Sequence, residues 1–377
     1  MRVLITNHIL SNYAGTELYV RDLATSLLNR GHTPIVYSTQ LGQVARELRA
    51  ATVPVVDDLS AIASPPDIIH GQHNLETMSA LLHFPDTPAI YFCHAWAAWV
   101  EAPPRFPRIL RYVAVDDTCY DRLVCEEAIP AERARVILNF VDLTRFQARP
   151  PLPAKPARAL IFSNHAREDS YLEVVSEACR RAGVALDVVG LGVGNMLAQP
   201  ERLLGQYDLI FAKGRCALEA LAVGAAVVLC DAVGMGTLVT TGELEHLRRL
   251  NFGVRAMRGQ LDAGALAREV ARYDPKDAAE VSRRIRASAG IEFAVDEIVA
   301  LYREVIDEYA AGFERDDAAE GRAAAAYLHW LTNRLHAERE ALQDSTTARL
   351  YARLARLPLL RRLARAAARK AAGKSAR

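Results

Sequence analysis

The sequence predicts an α/β protein of two consecutive Rossmann-like domains that face a cleft, followed by a helical C-terminal extension. Short apolar runs alternate with amphipathic segments up to about residue 310, which is typical of parallel sheets covered by helices. A proline-rich stretch at 150–156 divides this pattern into two sets of similar size. From about Asp296 onward the pattern is helical.

The first predicted domain spans residues 1–150. It opens with a β-rich run at 3–6, a polar loop and an amphipathic helix that ends at Gly31, before a second strand at 35–37. Strand, helix and strand in this order form the βαβ unit of a parallel sheet. Further strands are predicted at 67–70, 89–93, 112–115 and 136–138.

The second predicted domain spans residues 151–311 and follows a linker that contains Pro150, Pro151, Pro153 and Pro156. Proline lacks an amide donor and holds the chain extended, which favours a connection between domains. Ligands of open α/β sheets bind at the carboxyl ends of the strands, so we expect the functional site in the cleft. Strands are predicted at 159–162, 185–189, 208–211 and 225–229, and helices at 172–179 and 215–223.

Charge is distributed unevenly along the chain. There are 46 Lys and Arg against 45 Asp and Glu, but ten of the basic residues and no acidic residue follow Asp344. A basic segment on an acidic body favours an anionic partner. Within 349–377, leucines and arginines recur with helical spacing on both sides of Pro358, as in helices that lie on anionic lipid. We expect a membrane surface as the partner. Nucleic acid is disfavoured because few aromatic residues are interleaved, and a solubilising tail is the third alternative.

The predicted extension covers residues 312–377 and begins with an apolar stripe at helical spacing between 324 and 342. Such a stripe suits contact with a partner protein or with a second copy of the chain, as a homodimer. Its members are Ala324, Leu328, Leu331, Leu335 and Leu342, interrupted by Glu338.

Several features favour the cytoplasm as the location. The apolar run that begins the chain is too short for a signal-peptide core, and no segment approaches the roughly 20 apolar residues of a membrane span. The six cysteines form no Cys-x-x-Cys pair, which favours free thiols in a reducing compartment. With the basic tail, these features predict a cytoplasmic protein that lies peripherally on the inner face of the membrane.

Six short motifs occur in order through the first 310 residues. Each is weak alone, but their order and spacing together are specific. They are Ala14-Gly15-Thr16-Glu17, Leu28-Asn29-Arg30-Gly31-His32, Asp67-Ile68-Ile69-His70, Tyr91-Phe92-Cys93-His94, Val136 to Phe146 and Leu218 to Val228.

On these motifs the chain resembles the large retaining family 4 of glycosyltransferases. The resemblance implies the GT-B fold and transfer of a sugar from a nucleotide-diphosphate sugar to a glycan or lipid-linked acceptor. It further implies retention at the anomeric carbon, no metal or other cofactor, and a place in cell-surface polysaccharide biosynthesis. The first domain would then lie on the acceptor side, and the second would bind the nucleotide sugar.

Gly15 and Glu219 are the first two donor-binding residues that the resemblance implies. Gly15 has no side chain, so the backbone can approach a diphosphate, and the helix that follows presents free amides to it. Glu219 would accept hydrogen bonds from the ribose hydroxyls, which suits a carboxylate with two acceptor oxygens. The alternatives are an ordinary turn glycine and an acid that stabilises the first turn of a helix.

The sequence departs from the family where a second acid is usual, eight residues before Glu219, because Phe211 stands there. We expect Lys213 and Arg215, two cations at a helix N-terminus, to stabilise the departing nucleoside diphosphate instead. Arg167 is the one basic residue near the place where the family has an Arg and a Lys. A solvated basic loop is the alternative for Lys213 and Arg215.

His94 follows a predicted strand and, by the resemblance, faces the transferred sugar. A histidine can donate a hydrogen bond to a sugar hydroxyl or to a developing oxyanion, so His94 and Glu219 are the predicted catalytic residues. The neighbouring Trp96 and Trp99 would form either an apolar wall for the acceptor or part of the core.

Two glycine-rich segments follow strands of the second domain. Gly236 and Thr237 lie in a segment that, by the resemblance, offers amides to the diphosphate. The run from Gly190 to Gly194 lacks the last glycine of a dinucleotide fingerprint, so we favour a loop of the donor cleft over NAD binding. The chain contains no Asp-x-Asp and no zinc-spaced His/Cys cluster, so we expect no metal.

Two other functions remain open on the sequence. The missing acid at Phe211 and the sparse basic set near Arg167 would fit a non-catalytic GT-B protein that binds a glycan or nucleotide, or scaffolds an enzyme. A sugar-nucleotide epimerase of the same fold is the third possibility. Donor hydrolysis distinguishes an enzyme from a scaffold.

Overall fold

The structure is a computed structural model that describes residues 1–167, 171–195, 197 and 199–344. Two compact units are present: residues 1–104 with 108–314, and residues 105–107 with the chain from 315. The basic segment at 349–377, where we expect membrane contact, lies outside the described residues.

The N-terminal half of the first unit contains a parallel sheet of seven strands. Its order is 5-3-1-6-7-8-9 in the numbering below, and a separate parallel pair is formed by the second and fourth strands. The elements are β1 (Arg2–Thr6), β2 (Ile9–Leu10), α1 (Gly15–Asn29), β3 (Thr33–Tyr37), β4 (Gln40–Leu41), α2 (Gln43–Ala50), β5 (Val55–Val56), β6 (Ile68–Gln72), α3 (Asn74–His83), β7 (Ala89–Cys93), β8 (Ile109–Ala114), α4 (Asp117–Asp121) and β9 (Ala134–Val136).

The C-terminal half contains a sheet of five strands. Its order is 11-10-12-13-14, and only the contact between the last two strands is antiparallel. The elements are β10 (Arg158–Phe162), α5 (Leu172–Ala182), β11 (Ala185–Val189), α6 (Glu201–Leu204), β12 (Leu209–Ala212), α7 (Gly214–Val223), β13 (Ala226–Asp231), β14 (Gly234–Leu238), α8 (Leu244–Arg249), α9 (Ala263–Ala271), α10 (Pro275–Ser288), α11 (Ile291–Ala310) and α12 (Asp317–Asp344).

The central strands are buried on both faces, which explains why they read as continuous apolar runs rather than alternating ones. All five residues of β7 and all six of β13 are buried. The predicted strands at 89–93 and 185–189 have the bounds seen in the structure. The predicted α/β class with two Rossmann-like sheets and a helical C-terminal region is confirmed.

Helix α11 packs on the first sheet, although the sequence pattern assigns residues 151–311 to the second domain. The Nδ1 atom of His70 in β6 lies 2.7 Å from the hydroxyl of Tyr302 in α11, and both side chains are buried. Arg111 of β8 bonds Glu304 at 2.7 Å. The apolar face of this helix therefore covers the first sheet, and the other predicted domain limits stay predictions.

The second unit contains α12, a helix of 28 residues that carries the predicted leucine stripe. Leu328, Leu335 and Leu342 of the stripe are exposed, while Leu331 is half-buried. Within the described part of the chain, no helix is both long and apolar enough to cross a bilayer.

Candidate active site

A small cavity of about 60 Å³ lies between the carboxyl ends of the two sheets. Its walls come from both halves of the first unit and combine apolar side chains with four charged ones. The lining residues from the first half and the connection are Tyr13, Gly15, Leu18, Arg21, Arg145 and Phe146, and those from the second half include Phe162, Val189, Gly190, Leu197, Pro200, Arg215 and Glu219.

A larger cavity of about 420 Å³ adjoins the small one. The two share several lining residues, namely Gly15, Phe162, Asn164, Arg215 and Cys216. The larger cavity adds His94 and Trp96 from the first half and Lys213 from the second. Trp96 is about half exposed, whereas Trp99 does not line this cavity. The structure thus brings Gly15, His94, Arg215 and Glu219 to one continuous site.

Arg215 sits in the wall shared by both cavities, between two carboxylates. Its Nε donates to Glu219 Oε1 at 2.8 Å within α7. Its terminal Nη2 pairs with Asp22 of α1. Arg145 also reaches Asp22, at 3.3 Å, and Glu201, at 2.9 Å. These ion pairs connect the two halves of the unit across the cleft.

Burial and pairing act in opposite directions on the charges of this cluster. Burial raises the pKa of Glu219 above its usual value, and the neighbouring Arg215 offsets only part of that effect. Burial also acts to raise the pKa of Asp22, but Arg215, Arg21 and Arg145 outweigh it and bring the pKa below its usual value. Asp22 is therefore held ionised beside a guanidinium that both carboxylates keep charged.

Lys213 lies at the N-cap position of α7 and lines the larger cavity. Its ammonium pairs with Asp231, the buried last residue of β13. An ammonium next to a single carboxylate can still contact an anion in the cavity, because it has three donor hydrogens.

His94 follows β7 and keeps one ring nitrogen without a partner. Its Nε2 is enclosed and makes no hydrogen bond, while its backbone amide donates to Glu101 Oε2 at 2.9 Å. The ring contacts Tyr19 edge-on, with 4.5 Å between the centroids. Burial lowers the pKa of His94 from 6.5 to about 4, although the nearby Glu101 acts in the other direction. The imidazole is therefore neutral at pH 7.

Gly15 is the first residue of α1 and faces open space. A Cβ atom added there would meet no heavy atom within 4 Å. The N-cap residue of this 15-residue helix is Ala14, whose side chain makes no capping hydrogen bond. The first amides of the helix are therefore available to a ligand.

The segment with Gly236 and Thr237 is a strand, not the predicted loop. It pairs antiparallel with β13, and a Cβ atom at Gly236 would come within 2.5 Å of the carbonyl oxygen of Ala256. Thr237 donates to Glu243 at 3.3 Å, and neither residue lines the two cavities. The structure therefore gives the glycine a role in close backbone packing at the sheet edge, and its contact with a diphosphate stays a prediction.

Arg167 and Phe211 lie away from the cavities. Arg167 is exposed, and it lines neither cavity. Phe211 is fully buried in β12, so its side chain belongs to the core of the second sheet. Gly190 does line the small cavity, and it also passes against the carbonyl group of Ser163, where a Cβ atom would collide.

Sequence reasoning missed five charged residues of the site: Arg21, Asp22, Arg145, Glu201 and Asp231. Arg145 stands directly before Phe146 in one of the six motifs, and Asp22 is an acid directly before the buried Leu23 of α1. Both were therefore visible as unusual charges, but only contacts across the cleft show that they are paired. Among the described residues, no group of three His, Cys, Asp or Glu could hold a metal ion.

Residues 13–145 match the family model described as Glycosyltransferase Family 4. No curated protein matches the sequence. A glycosyltransferase structure from Rickettsia africae is similar at a TM-score of 0.59 and 14% identity, over 81% of this chain and 98% of that chain. The Anabaena protein HepE, solved with UDP and glucose, is similar at 0.57 and 16%, over 80% and 99%.

A putative UDP-N-acetylglucosamine 2-epimerase from Listeria monocytogenes is also similar, at a TM-score of 0.53 and 14% identity, over 81% of this chain and 97% of that chain. These likenesses show a common fold, which is GT-B. The family match adds that residues 13–145 are similar to Glycosyltransferase Family 4.

Proposed function

We propose that this chain transfers a sugar from a nucleotide-diphosphate sugar to a glycan or lipid-linked acceptor, with retention and without a metal. The observation that carries the proposal is the pair of joined cavities with Arg215 in their shared wall. HepE has also been solved in complex with UDP-glucose, which favours a nucleotide sugar as the ligand of this fold.

The small cavity suits the nucleoside part of the donor. Phe162, Val189 and Leu197 provide an apolar surface for a base, and Glu219 lies beside it as an acceptor for ribose hydroxyls. Ligand pockets are usually about 300 Å³ or larger, so the cavity must widen when a nucleoside enters. The Arg215–Asp22 pair spans the cleft and would open or shift in that movement.

The junction of the two cavities suits the diphosphate. Gly15 leaves room for it, the amides at the start of α1 point toward an anion there, and Arg215 and Lys213 supply positive charge. The sugar would then extend into the larger cavity toward His94. Departure of the nucleoside diphosphate would be driven by these positioned cations and amides.

Binding and catalysis can be tested separately with the full chain. A thermal-shift screen with UDP-, GDP- and ADP-sugars should raise the melting temperature for one base, and the Glu219→Ala variant should lose that shift. Turnover of the selected donor in EDTA tests metal independence, and NMR of the product distinguishes retention from inversion. If no nucleotide sugar shifts the melting temperature, the proposal fails and a non-catalytic role is favoured.

We also propose that the protein works in the cytoplasm on the inner face of a membrane, in cell-surface polysaccharide synthesis. The basic leucine- and arginine-rich sequence at 349–377 supports this. Vesicles with 30% anionic lipid should sediment the full chain, and a chain ending at residue 344 should stay in solution. Equal sedimentation of both would contradict the proposal.

The exposed leucines of α12 support a further proposal, that two copies of the chain associate through 324–342. Leu328, Leu335 and Leu342 are spaced seven residues apart, as on one seam of a coiled coil. Sedimentation equilibrium of the full chain and of a Leu328→Glu, Leu335→Glu variant tests it. A monomeric wild type would refute it.

A further inference from the structure

A second group of titratable side chains lies at the carboxyl edge of the first sheet, beside the site described above. His8 follows β1, His73 follows β6 and caps α3, and Glu101 follows β7. Glu17 comes from the first turn of α1 and Glu76 from the first turn of α3. We call these five residues the histidine–glutamate cluster.

The hydrogen bonds of the cluster determine which ring nitrogens carry protons. His8 Nδ1 lies 3.0 Å from Glu76 Oε1, so this nitrogen donates to the carboxylate. The backbone amide of His8 donates to His73 Nδ1 at 3.1 Å, so the proton of His73 is on Nε2, which faces Glu101 Oε1 at 3.4 Å. His8 Nε2 is left with a free lone pair and no hydrogen bond within the described residues.

The cluster is strained and incompletely paired, as functional sites often are. His73 has a φ of +58°, which is uncommon for a residue with a side chain. Glu76 is 3% exposed, and its Oε2 has no partner. The His8 side chain is 29% exposed, so its free nitrogen can be reached from solvent while its carboxylate partner is buried.

The cluster adjoins the larger cavity. Glu101 accepts from the backbone amide of His94, which lines that cavity, and its other oxygen faces His73, which in turn holds the backbone of His8. Glu17 is two residues beyond Gly15, which lines both cavities. Two side chains, those of Glu101 and His73, therefore connect the backbone of His8 to His94, which lies beside the predicted sugar position.

We propose that His8, oriented by Glu76, binds the acceptor hydroxyl and accepts its proton during sugar transfer. This inference rests on the proposed transferase function and adds the residue that would act on the acceptor. A neutral imidazole with one nitrogen bound to a carboxylate has the arrangement of a general base, because the carboxylate fixes the tautomer and stabilises the imidazolium that forms.

The step balances without any further reactant. The acceptor O–H proton moves to His8 Nε2, and the oxygen electron pair forms the bond to the anomeric carbon on the same face from which the phosphate leaves, as retention requires. The bond from that carbon to the donor phosphate oxygen breaks, and its electron pair leaves with the nucleoside diphosphate. The imidazolium then releases its proton to water. With water as the acceptor, the same step is hydrolysis of the donor.

The charged surroundings of His8 are consistent with this role. The groups that face it are Glu76 and His73 from α3 and its cap and Glu17 from α1. Burial raises the pKa of Glu17 above its usual value. Burial acts to lower the pKa of His73, but Glu101, Glu76 and Glu17 outweigh it, so the pKa of His73 is raised.

The test uses the full chain, with UDP-, GDP- and ADP-glucose as donors and water as acceptor. His8→Gln should reduce the hydrolysis rate roughly 100-fold or more while the nucleotide-induced thermal shift stays as in the wild type. The acidic limb of the pH–rate profile should disappear, because glutamine has no titrating nitrogen. Glu76→Gln, which keeps a hydrogen-bonding partner, should give a smaller loss.

His83→Gln is the matched control, since His83 is an exposed histidine at the end of the same α3 helix. It should hydrolyse the donor as the wild type does. Wild-type rates in His8→Gln would overturn the inference, and so would a donor that binds the wild type without any hydrolysis. Joint loss of hydrolysis and of the thermal shift in His8→Gln would assign the residue to donor binding instead. If no donor binds the wild type, the proposed function itself fails.

Discussion

Arg215 lies at the carboxyl edge of the second sheet and His94 at that of the first, and their ionisation states respond to burial in opposite ways. At the second sheet, the side chain of Arg215 is only 12% exposed but stays charged because Asp22 and Glu219 both pair with it. At the first sheet, the ring of His94 has no carboxylate partner, so burial leaves it neutral, with an unpaired Nε2. Charged partners therefore decide the ionisation state of a largely enclosed side chain more than its degree of burial does. The charged Arg215 suits a diphosphate, and the neutral ring of His94 suits sugar hydroxyls.

Removing the guanidinium should produce the largest effect on stability. Arg215→Ala leaves Glu219 without its cation and removes one of the three cations around Asp22, so the free energy of unfolding should fall by about 3–5 kcal/mol. Urea unfolding measures it, and Arg215→Lys should recover part of the loss. A change in the free energy of unfolding below about 1 kcal/mol would mean that water solvates these carboxylates.

The neutral histidine should make stability depend on pH in a defined window. The pKa of His94 falls from 6.5 to about 4 on folding, so the unfolded chain binds more protons between these values. Its contribution is therefore present above about pH 6.5 and is lost as the pH falls toward 4, by at most about 3 kcal/mol. Urea unfolding of the wild type and His94→Gln at pH 5 and 7.5 tests this. Equal pH dependence of both proteins would show that folding does not lower the pKa of His94.

Replacement of Glu219 should affect the donor more than the fold. Glu219→Gln keeps the shape and one acceptor oxygen but loses the charge, so donor affinity should weaken by about 1.5–3 kcal/mol if two ribose hydroxyls donate to it. Isothermal titration with the nucleotide from the thermal-shift screen measures the change. Unchanged affinity would mean that Glu219 serves only to hold Arg215.

An exposed pair across the cleft should have the smallest effect. Arg249 pairs with Asp117, and their side chains are 53% and 33% exposed. Arg249→Ala should change the free energy of unfolding by less than about 1 kcal/mol, because water already solvates both charges. If Arg249→Ala lowered the free energy of unfolding as much as Arg215→Ala does, solvent exposure would not explain the difference between this ion pair and those of Arg215.

Much of the fold followed from the sequence because buried parallel strands are continuous apolar runs. Strands at 89–93 and 185–189 and the helix that begins at Gly15 could be placed from apolar runs, periodicity and glycine positions. Packing of α11 was not predictable, since an apolar helix face does not specify which sheet it will cover. The strand at Gly236 was not predictable for a related reason: a glycine that avoids a neighbouring backbone looks the same in sequence as one that approaches a ligand.

For the candidate site, too, some properties follow from the sequence and others only from the tertiary structure. The sequence by itself determined which residue types stand at the strand ends, such as Gly15, His94 and Glu219, because motif order and strand position are local properties. Only the tertiary structure decided their charge state and partners. Asp22 and Arg215 are 193 residues apart and His8 and Glu76 are 68 apart, and ion pairs at such separations form only when the sheets bring the residues together.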